Sequence, residues 1–124
     1  MRITIMIISL VFLTSCATIK PPRPWTKNEK IGAAFFVAGH LADTYTTIQH
    51  QNYPEIYEIN PALGKHPSDS KVYMYMGATG AIGLLIAHYF PNLRLPICIG
   101  YGGLGFYMAW GNYKLIKKVK KERR

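Results

Sequence analysis

Two long stretches in the second half of the chain contain no Lys, Arg, Asp or Glu: Val72–Phe90 and Leu95–Tyr113, each nineteen residues long. A transmembrane helix needs about 20 mostly apolar residues, so both stretches are long enough to cross a bilayer. Aromatic side chains favour membrane interfaces, and four lie at the ends of these stretches: Tyr89, Phe90, Trp110 and Tyr113. A single domain of 124 residues has too little other sequence to surround two helices that are apolar on all sides. We therefore expect transmembrane helices rather than the buried pair of a soluble bundle.

Composition limits the partners of this chain. With 49% hydrophobic and 13% aromatic residues, it is too apolar to be disordered. Its formal net charge of +9 is concentrated at one end, because seven of the fifteen basic residues fall within the last eleven positions. Aromatic residues do not alternate with these charges, as a surface that stacks nucleic-acid bases would require. We expect the tail to extend the third helix and to contact anionic lipid headgroups, with no nucleic-acid partner. The headgroup contacts are assigned to Lys117, Lys118, Lys120 and Lys121.

The first sixteen residues have the pattern of an export signal. Arg2 precedes the apolar run Ile3–Leu13, whose eleven residues would rise about 16 Å as a helix, half of what a bilayer needs. That length is typical of the apolar core of a signal peptide. Leu13-Thr14-Ser15-Cys16 then resembles the lipobox of bacterial lipoproteins, which implies cleavage after Ser15 and acylation of Cys16. The alternative is an ordinary secretory signal with an incidental cysteine.

A lipidated, proline-rich linker is predicted over residues 16–30, after the signal peptide 1–15. Three prolines between positions 21 and 24 favour an extended arm. Thr26 and Glu29 form a capping-box pattern, which predicts a helix from about Lys27 to His50. Trp25 comes just before this helix, where an indole favours the membrane interface.

The remaining sequence predicts an all-α domain with about three transmembrane helices over residues 31–113 and a polybasic tail over 114–124. Residues 51–70 form a loop, and the turn at Pro91-Asn92 makes the last two helices an antiparallel hairpin. If Cys16 is exported, three crossings place the positive tail in the cytoplasm, in agreement with the positive-inside rule. We expect an inner-membrane protein with its lipidated N-terminus on the periplasmic or outer side. Ala17 would favour release toward the outer membrane in enteric bacteria, which leaves that location as the alternative.

Small residues four positions apart indicate where the helices pack. The spacing occurs in two sets, Thr79, Gly83 and Ala87 and then Gly105 and Ala109. Such residues let helix backbones approach closely in lipid. We expect close packing within the hairpin, and a membrane-protein partner or a second copy of the chain. Cys98, left without a disulfide partner once Cys16 is acylated, should pack as a small apolar residue.

Four polar residues of the first helix share one face: His40, Asp43, Thr47 and His50, at i, i+3, i+7 and i+10. A carboxylate within a membrane segment is costly and marks a functional site by default. His40 lies one turn from Asp43, a spacing that allows it to donate an N–H to the carboxylate. Three interpretations stay open: hydrogen bonds that hold helices together, binding of a metal, headgroup or small ligand, and acid–base or proton-relay chemistry.

The chemical interpretations name specific candidates. An enzyme would use His40, Asp43 and Glu58. Imidazole and carboxylate ligands suit a divalent ion, so the weak metal candidates are His40, Asp43, His50 and His66. Their spacing matches no strong metal motif, and we expect no cofactor.

Two short motifs resemble those of a family of small multi-span membrane proteins of unknown function. They are Asp43-x-x-Thr46-Thr47 in the first helix and Glu58-x-Asn60-Pro61 in the following loop, and the resemblance covers about residues 31–90. It implies that the motif residues act together, with the loop folded back onto the helix end. The polar cluster so defined contains His40, Asp43, Thr46, Thr47, Glu58 and Asn60. In this arrangement Glu58 is placed to accept hydrogen bonds from Thr46 or Thr47.

The function expected from the sequence is non-enzymatic, although enzymatic activity is left open. We expect a small lipoprotein with a structural, partner-binding or regulatory role in the cell envelope. A phage- or plasmid-encoded envelope modifier is one concrete form. The alternative is a small intramembrane enzyme or ion-binding protein that uses His40, Asp43 and Glu58.

Overall fold

The computed structural model describes residues 22–123, which form three helices. Their bounds are Lys27–His50 for α1, Asp69–Tyr89 for α2 and Arg94–Glu122 for α3, and the 3-10 turn Pro91–Leu93 joins α2 to α3. No strand occurs in this range, so the predicted all-α class is confirmed. The signal peptide 1–15, Cys16 and the start of the linker lie outside the described residues.

The helix ends follow from local sequence. The Thr26 hydroxyl accepts a hydrogen bond from the Glu29 N–H at 3.3 Å, and the Glu29 carboxylate accepts one from the Thr26 N–H at 2.9 Å. This capping box starts α1 at the predicted residue. Pro91 has no N–H to continue α2 and begins the 3-10 turn instead. α3 runs on to Glu122, which confirms that the third helix extends into the basic tail.

α1 packs mainly against α3 and runs parallel to it. The two backbones touch where both helices lack side chains. A Cβ on Gly39 would overlap the backbone carbonyl of Gly102, and one on Gly105 would lie 2.5 Å from the Gly39 backbone. Glycine is therefore required at these positions for α1 and α3 to approach this closely.

The short turn predicted between the last two helices is present, but the helices do not run side by side as a closely packed antiparallel hairpin. The chain bends by 118° between α2 and the segment that follows, so α2 and α3 diverge. Two of the small residues expected to face each other across the hairpin contact α1 instead. Gly83 lies against the Phe36 ring, and Gly105 lies against Gly39. The spacing showed that these positions are packed but could not show against which helix.

Each helix buries one narrow stripe whose members recur about every third and fourth residue, as expected for a single contact face. The stripes contain mostly small and polar residues: Glu29, Gly32, Phe36, Gly39, Thr44, Thr47 and His50 in α1, Val72, Met76, Gly80, Gly83 and Ala87 in α2, and Arg94, Cys98, Gly102, Gly105, Ala109 and Ile116 in α3. Large apolar side chains lie mainly elsewhere. In the described range twenty-five of them are exposed, against nine buried apolar residues.

None of the three described helices, taken alone, combines the length and apolarity that a membrane crossing requires. α2 and the segment Pro91–Glu122 meet both requirements when they are taken together across their bend.

The bundle has two distinct ends. At one end, here called the Arg94 end, α1 and α3 begin and α2 finishes. At the other, the loop end, the connection between α1 and α2 meets the last turns of α3, where Arg123 pairs with Glu55 at 2.7 Å.

Candidate functional site

The centre of the candidate site is a contact between α1 and α3 made by Asn112. Its amide nitrogen lies 3.4 Å from the Asp43 Oδ1 and 3.3 and 3.2 Å from the hydroxyl oxygens of Thr46 and Thr47. Thr47 also donates to the Asp43 Oδ1, at 3.4 Å. The Asp-x-x-Thr-Thr motif therefore forms one cluster, and its partner is an amide on α3.

Asn112 was not among the candidates from sequence, although a signal for it exists. It is the one side-chain amide in the charge-free stretch Leu95–Tyr113. It also follows Gly105 and Ala109 at the spacing of the buried stripe of α3. A lone amide on the contact face of an apolar helix predicts a hydrogen bond to another helix.

His40 joins α1 to α2 rather than to Asp43. Its Nε2 lies 2.6 Å from the backbone carbonyl oxygen of Met76. Because a carbonyl oxygen can only accept, the imidazole carries its donating proton on Nε2 in this contact. Gly80 makes the contact possible, since a Cβ there would lie 2.9 Å from the ring. The Nε2 of His40 therefore bonds α2, in place of the donation to Asp43 that the sequence allows.

The loop after α1 folds back onto the end of that helix through Glu58 and His50. The Glu58 Oε2 lies 3.4 Å from the His50 Nε2, and both side chains are buried, at 8% and 4% exposed. Glu58 also accepts the Asn60 backbone N–H at 2.8 Å, while the Asn60 side chain accepts the Ala62 N–H at 3.0 Å. The imidazole of His50 and this backbone N–H hold the pKa of Glu58 below its ordinary value, against the opposing effect of burial.

The expected hydrogen bonds from Thr46 or Thr47 to Glu58 are wrong. Thr46 donates instead to the backbone carbonyls of Ala42 and Asp43, at 3.0 and 3.1 Å. Threonine hydroxyls in a helix commonly bond carbonyls one turn back, which leaves them turned away from the loop. In the same region, the Nδ1 of His50 is buried and has no hydrogen-bond partner among residues 22–123.

A second buried cluster surrounds Arg94 at the other end of the bundle. The Arg94 side chain is 0% exposed. Its Nε donates to the Ala87 carbonyl at 3.1 Å, and one terminal nitrogen donates to the carbonyls of His88 and Arg23 at 3.1 and 2.9 Å. The other terminal nitrogen lies 3.4 Å from both the Pro24 carbonyl and the Glu29 carboxylate. These five contacts match the five N–H groups of a guanidinium.

The Arg94 cluster ties the arm before α1 to the bundle. The guanidinium also lies 4.6 Å from the centre of the Trp25 ring, whose Nε1 donates to the His88 Nδ1 at 3.3 Å. From sequence, Trp25 was expected at a membrane interface, and this contact was not foreseen. The available signal was a single arginine between two charge-free stretches, which needs an acidic partner if it is buried.

The metal candidates do not come together. Within residues 22–123 no group of three or more His, Cys, Asp and Glu side chains could hold a metal ion. His40 contacts a backbone carbonyl and His50 faces Glu58, whereas the His66 ring lies 5.1 Å from the ring of Tyr57. The weak metal interpretation therefore gains no support from the described geometry.

The basic tail continues α3 along the loop. Arg123 donates to both carboxylate oxygens of Glu55, from Nε to Oε1 at 3.0 Å and from Nη2 to Oε2 at 2.7 Å, and lies 5.1 Å from the Tyr53 ring. The four lysines expected to contact headgroups are exposed: Lys117, Lys118, Lys120 and Lys121. Their exposure leaves them accessible, and nothing in the described part tests what they bind.

Comparisons with known proteins give no match. No family model matches the chain, no curated protein matches it, and no solved structure matches it. The resemblance to small multi-span membrane proteins, and the lipobox, therefore stay predictions.

Proposed function

We propose that this chain is a small integral membrane protein of the bacterial cell envelope, lipidated at Cys16, with a structural, partner-binding or regulatory role. One observation carries the proposal: in the described residues the helix contacts are built from small and polar side chains, while large apolar side chains face outward. Leaving apolar surface in water costs about 25 cal/mol per Å². In lipid that cost disappears, and close packing and hydrogen bonds hold the helices together.

The pattern of hydrogen bonds supports a structural role for the polar clusters. Arg94 has a partner for every N–H, His40 bonds the neighbouring helix, and Asp43 is engaged by Asn112. Such contacts are expected where buried polar groups join helices in a medium that offers no water. The proposed role of the clusters is to fix the arrangement of α1, α2 and α3.

The arrangement of the ends supports three crossings. α1 and α3 begin at the Arg94 end and α2 begins at the loop end, so consecutive helices alternate in direction. With an exported N-terminus, the Arg94 end lies on the periplasmic side and the basic tail lies in the cytoplasm. The positive-inside rule favours this orientation.

Carbonate extraction of a Cys16→Ser chain tests the membrane proposal. The substitution removes the acylation site, so retention must come from the helices. We expect the variant to remain in the membrane pellet at high pH. Release of the variant as a dispersed monomer would overturn the proposal.

A charged substitution on the outer surface provides a second test. Ile82 lies on the outside of α2 and is 55% exposed. A lysine there would be nearly neutral in water but would cost about 2.5–3.5 kcal/mol facing the centre of a bilayer. We expect Ile82→Lys to reduce the amount of folded protein strongly, whereas Ala62→Lys, at an exposed position of the loop between α1 and α2, should not. Equal behaviour of the two variants would contradict a lipid-facing α2.

One observation favours the alternative of an intramembrane enzyme or ion-binding protein: beside Glu58, the buried Nδ1 of His50 has no partner in the part of the chain that the structure describes. Variants of Asp43 separate the two functions. Asp43→Leu removes the acceptor for Asn112, so the structural role predicts loss of folded protein. Asp43→Asn keeps an oxygen acceptor and should remain folded and functional. A folded Asp43→Asn or His40→Ala protein that loses its cellular phenotype would favour the chemical role.

A further inference from the structure

A groove runs along the second half of α3 at the loop end of the bundle. It has a volume of about 490 Å³, within the range of about 300–1,000 Å³ that ligand pockets occupy. Tyr107, Trp110 and Gly111 line its inner part, Ile59 of the loop forms one wall, and Lys114 and Lys118 lie toward the C-terminus of α3. No described residue lies within 4 Å of the position that a Cβ on Gly111 would take, and this glycine forms part of the groove lining.

The groove changes from apolar to basic along the helix axis. Tyr107, Gly111, Lys114 and Lys118 succeed one another at intervals of three and four residues, which places them on one face. Trp110 lies at the transition, and the Lys114 ammonium is 5.1 Å from the centre of its ring. An indole favours the boundary between hydrocarbon and headgroups. The groove thus has an apolar part on one side of Trp110 and two cations on the other.

We propose that this groove binds one molecule of an anionic glycerophospholipid. An acyl chain lies over Gly111 against Tyr107, and the phosphate lies between Lys114 and Lys118. The proposal rests on the membrane function proposed above. It assigns the binding of anionic lipid to a defined groove, in place of a general attraction of headgroups to the basic tail. In the proposed orientation the lysines face the cytoplasmic leaflet, whose surface carries anionic lipids.

Charge favours this groove over its neighbour. The adjoining cavity on the other side of Lys118 is lined by Glu55 and Glu122, whose carboxylates repel a phosphate. Glu122 does approach Lys118 at 3.9 Å, but both side chains are well exposed. Such an exposed pair contributes little, so the Lys118 charge stays available to a ligand.

Quenching of Trp110 fluorescence by brominated lipids tests the site. The full-length protein is reconstituted into vesicles that contain either dibrominated phosphatidylglycerol or dibrominated phosphatidylcholine in an unbrominated background. Trp25 lies at the opposite end of the bundle, and a Trp110→Phe variant measures its contribution. We expect phosphatidylglycerol to quench Trp110 preferentially. Each lysine near the surface raises the affinity for an anionic lipid about five-fold. Replacing both lysines, Lys114→Gln with Lys118→Gln, should therefore lower the preference for phosphatidylglycerol over phosphatidylcholine about 25-fold.

Matched variants separate the groove from the net charge of the tail. Lys117→Gln with Lys121→Gln removes the same charge outside the groove lining and should keep the preference. Gly111→Leu fills the groove and should abolish the preference. Gly103→Leu is the control for this substitution, because that position also faces open space.

The outcomes are distinct. Equal quenching by the two lipids in the native sequence, or equal losses in the two lysine pairs, would overturn the site while leaving the membrane function intact. If neither lipid quenches any tryptophan, the chain is not in the bilayer, and the proposed function fails with the site.

Discussion

At the scale of single residues, Arg94 is the most constrained side chain among those described. It is fully buried, and each of its N–H groups meets an acceptor from the arm, from α1 or from the end of α2. Lysine has three donors on one atom and cannot reproduce the planar arrangement of five. The arm, α1 and the end of α2 are therefore held together by the planar guanidinium of an arginine. A positive charge alone would not reproduce these contacts.

Replacing Arg94 is expected to destabilise the protein. Arg94→Ala leaves several buried acceptors without donors, at about 1–3 kcal/mol for each. Arg94→Lys should recover part of the loss. Thermal unfolding followed by circular dichroism in detergent measures both variants. Arg23→Gln is the control, since Arg23 is half exposed and its loss should matter far less. Equal melting temperatures for Arg94→Ala and Arg23→Gln would refute this role for Arg94.

Glu58 makes stability depend on acid pH. Its pKa in the folded protein is lower than the ordinary value of 4.5. The stabilisation of the folded protein by the ionised Glu58 is therefore complete above about pH 4.5. It is lost as the pH falls through the lower pKa of the folded state. We expect Glu58→Gln to melt below the native sequence at pH 7, with the difference shrinking below pH 4.5. Glu122→Gln, at an exposed position, should follow the native curve. A difference that does not change between pH 7 and pH 3 would count against the Glu58–His50 contact.

At the scale of helices, the contact between α1 and α3 depends on Gly39. An added Cβ would meet the backbone of Gly102, which cannot move aside as a side chain can. We expect Gly39→Ala to cost about 1–3 kcal/mol, the usual range for overpacking. Gly103→Ala places the same methyl group in open space. It should be neutral or stabilising by up to about 1 kcal/mol. Thermal unfolding of the two alanine variants tests this expectation. Equal melting temperatures would contradict a close backbone contact at Gly39.

The helices themselves were predictable from sequence because their signals are local. The capping box at Thr26 and Glu29 gives the start of α1, and Pro91 gives the end of α2. Packing partners were not predictable in the same way. Gly83 and Gly105 were correctly seen as contact positions, but a spacing of four does not tell one neighbouring helix from another.

The polar site was predictable in its composition and less so in its connections. Asp43, Thr46 and Thr47 do form a cluster, and Glu58 does return to the end of α1. The partners that the sequence did not indicate are distant along the chain. Asn112 is 69 residues from Asp43, and Arg94 is 65 residues from Glu29. Such pairings depend on how the helices meet, which one sequence does not reveal.

At the scale of the whole molecule, the proposed topology can be tested with single cysteines. In a Cys16→Ser chain the remaining Cys98 is buried, so it should not react with a polar maleimide. Asn28→Cys lies at the Arg94 end and Lys121→Cys lies in the tail, and both positions are exposed. We expect an impermeant maleimide to label Asn28→Cys in intact spheroplasts and Lys121→Cys in inverted vesicles. Labelling of both positions from the same side would exclude three crossings.

The attachment of the arm by Arg94 limits what a lipid on Cys16 can do. Arg94 holds the carbonyls of Arg23 and Pro24, and Cys16 lies seven residues before Arg23. A chain of that length spans at most about 25 Å even when it is fully stretched. In the membrane protein proposed here, the fatty chains on an acylated Cys16 would therefore enter the leaflet beside the helices. The lipid anchor and the three helices would then diffuse together in one membrane. The linker would be too short for the helices to reach a second membrane.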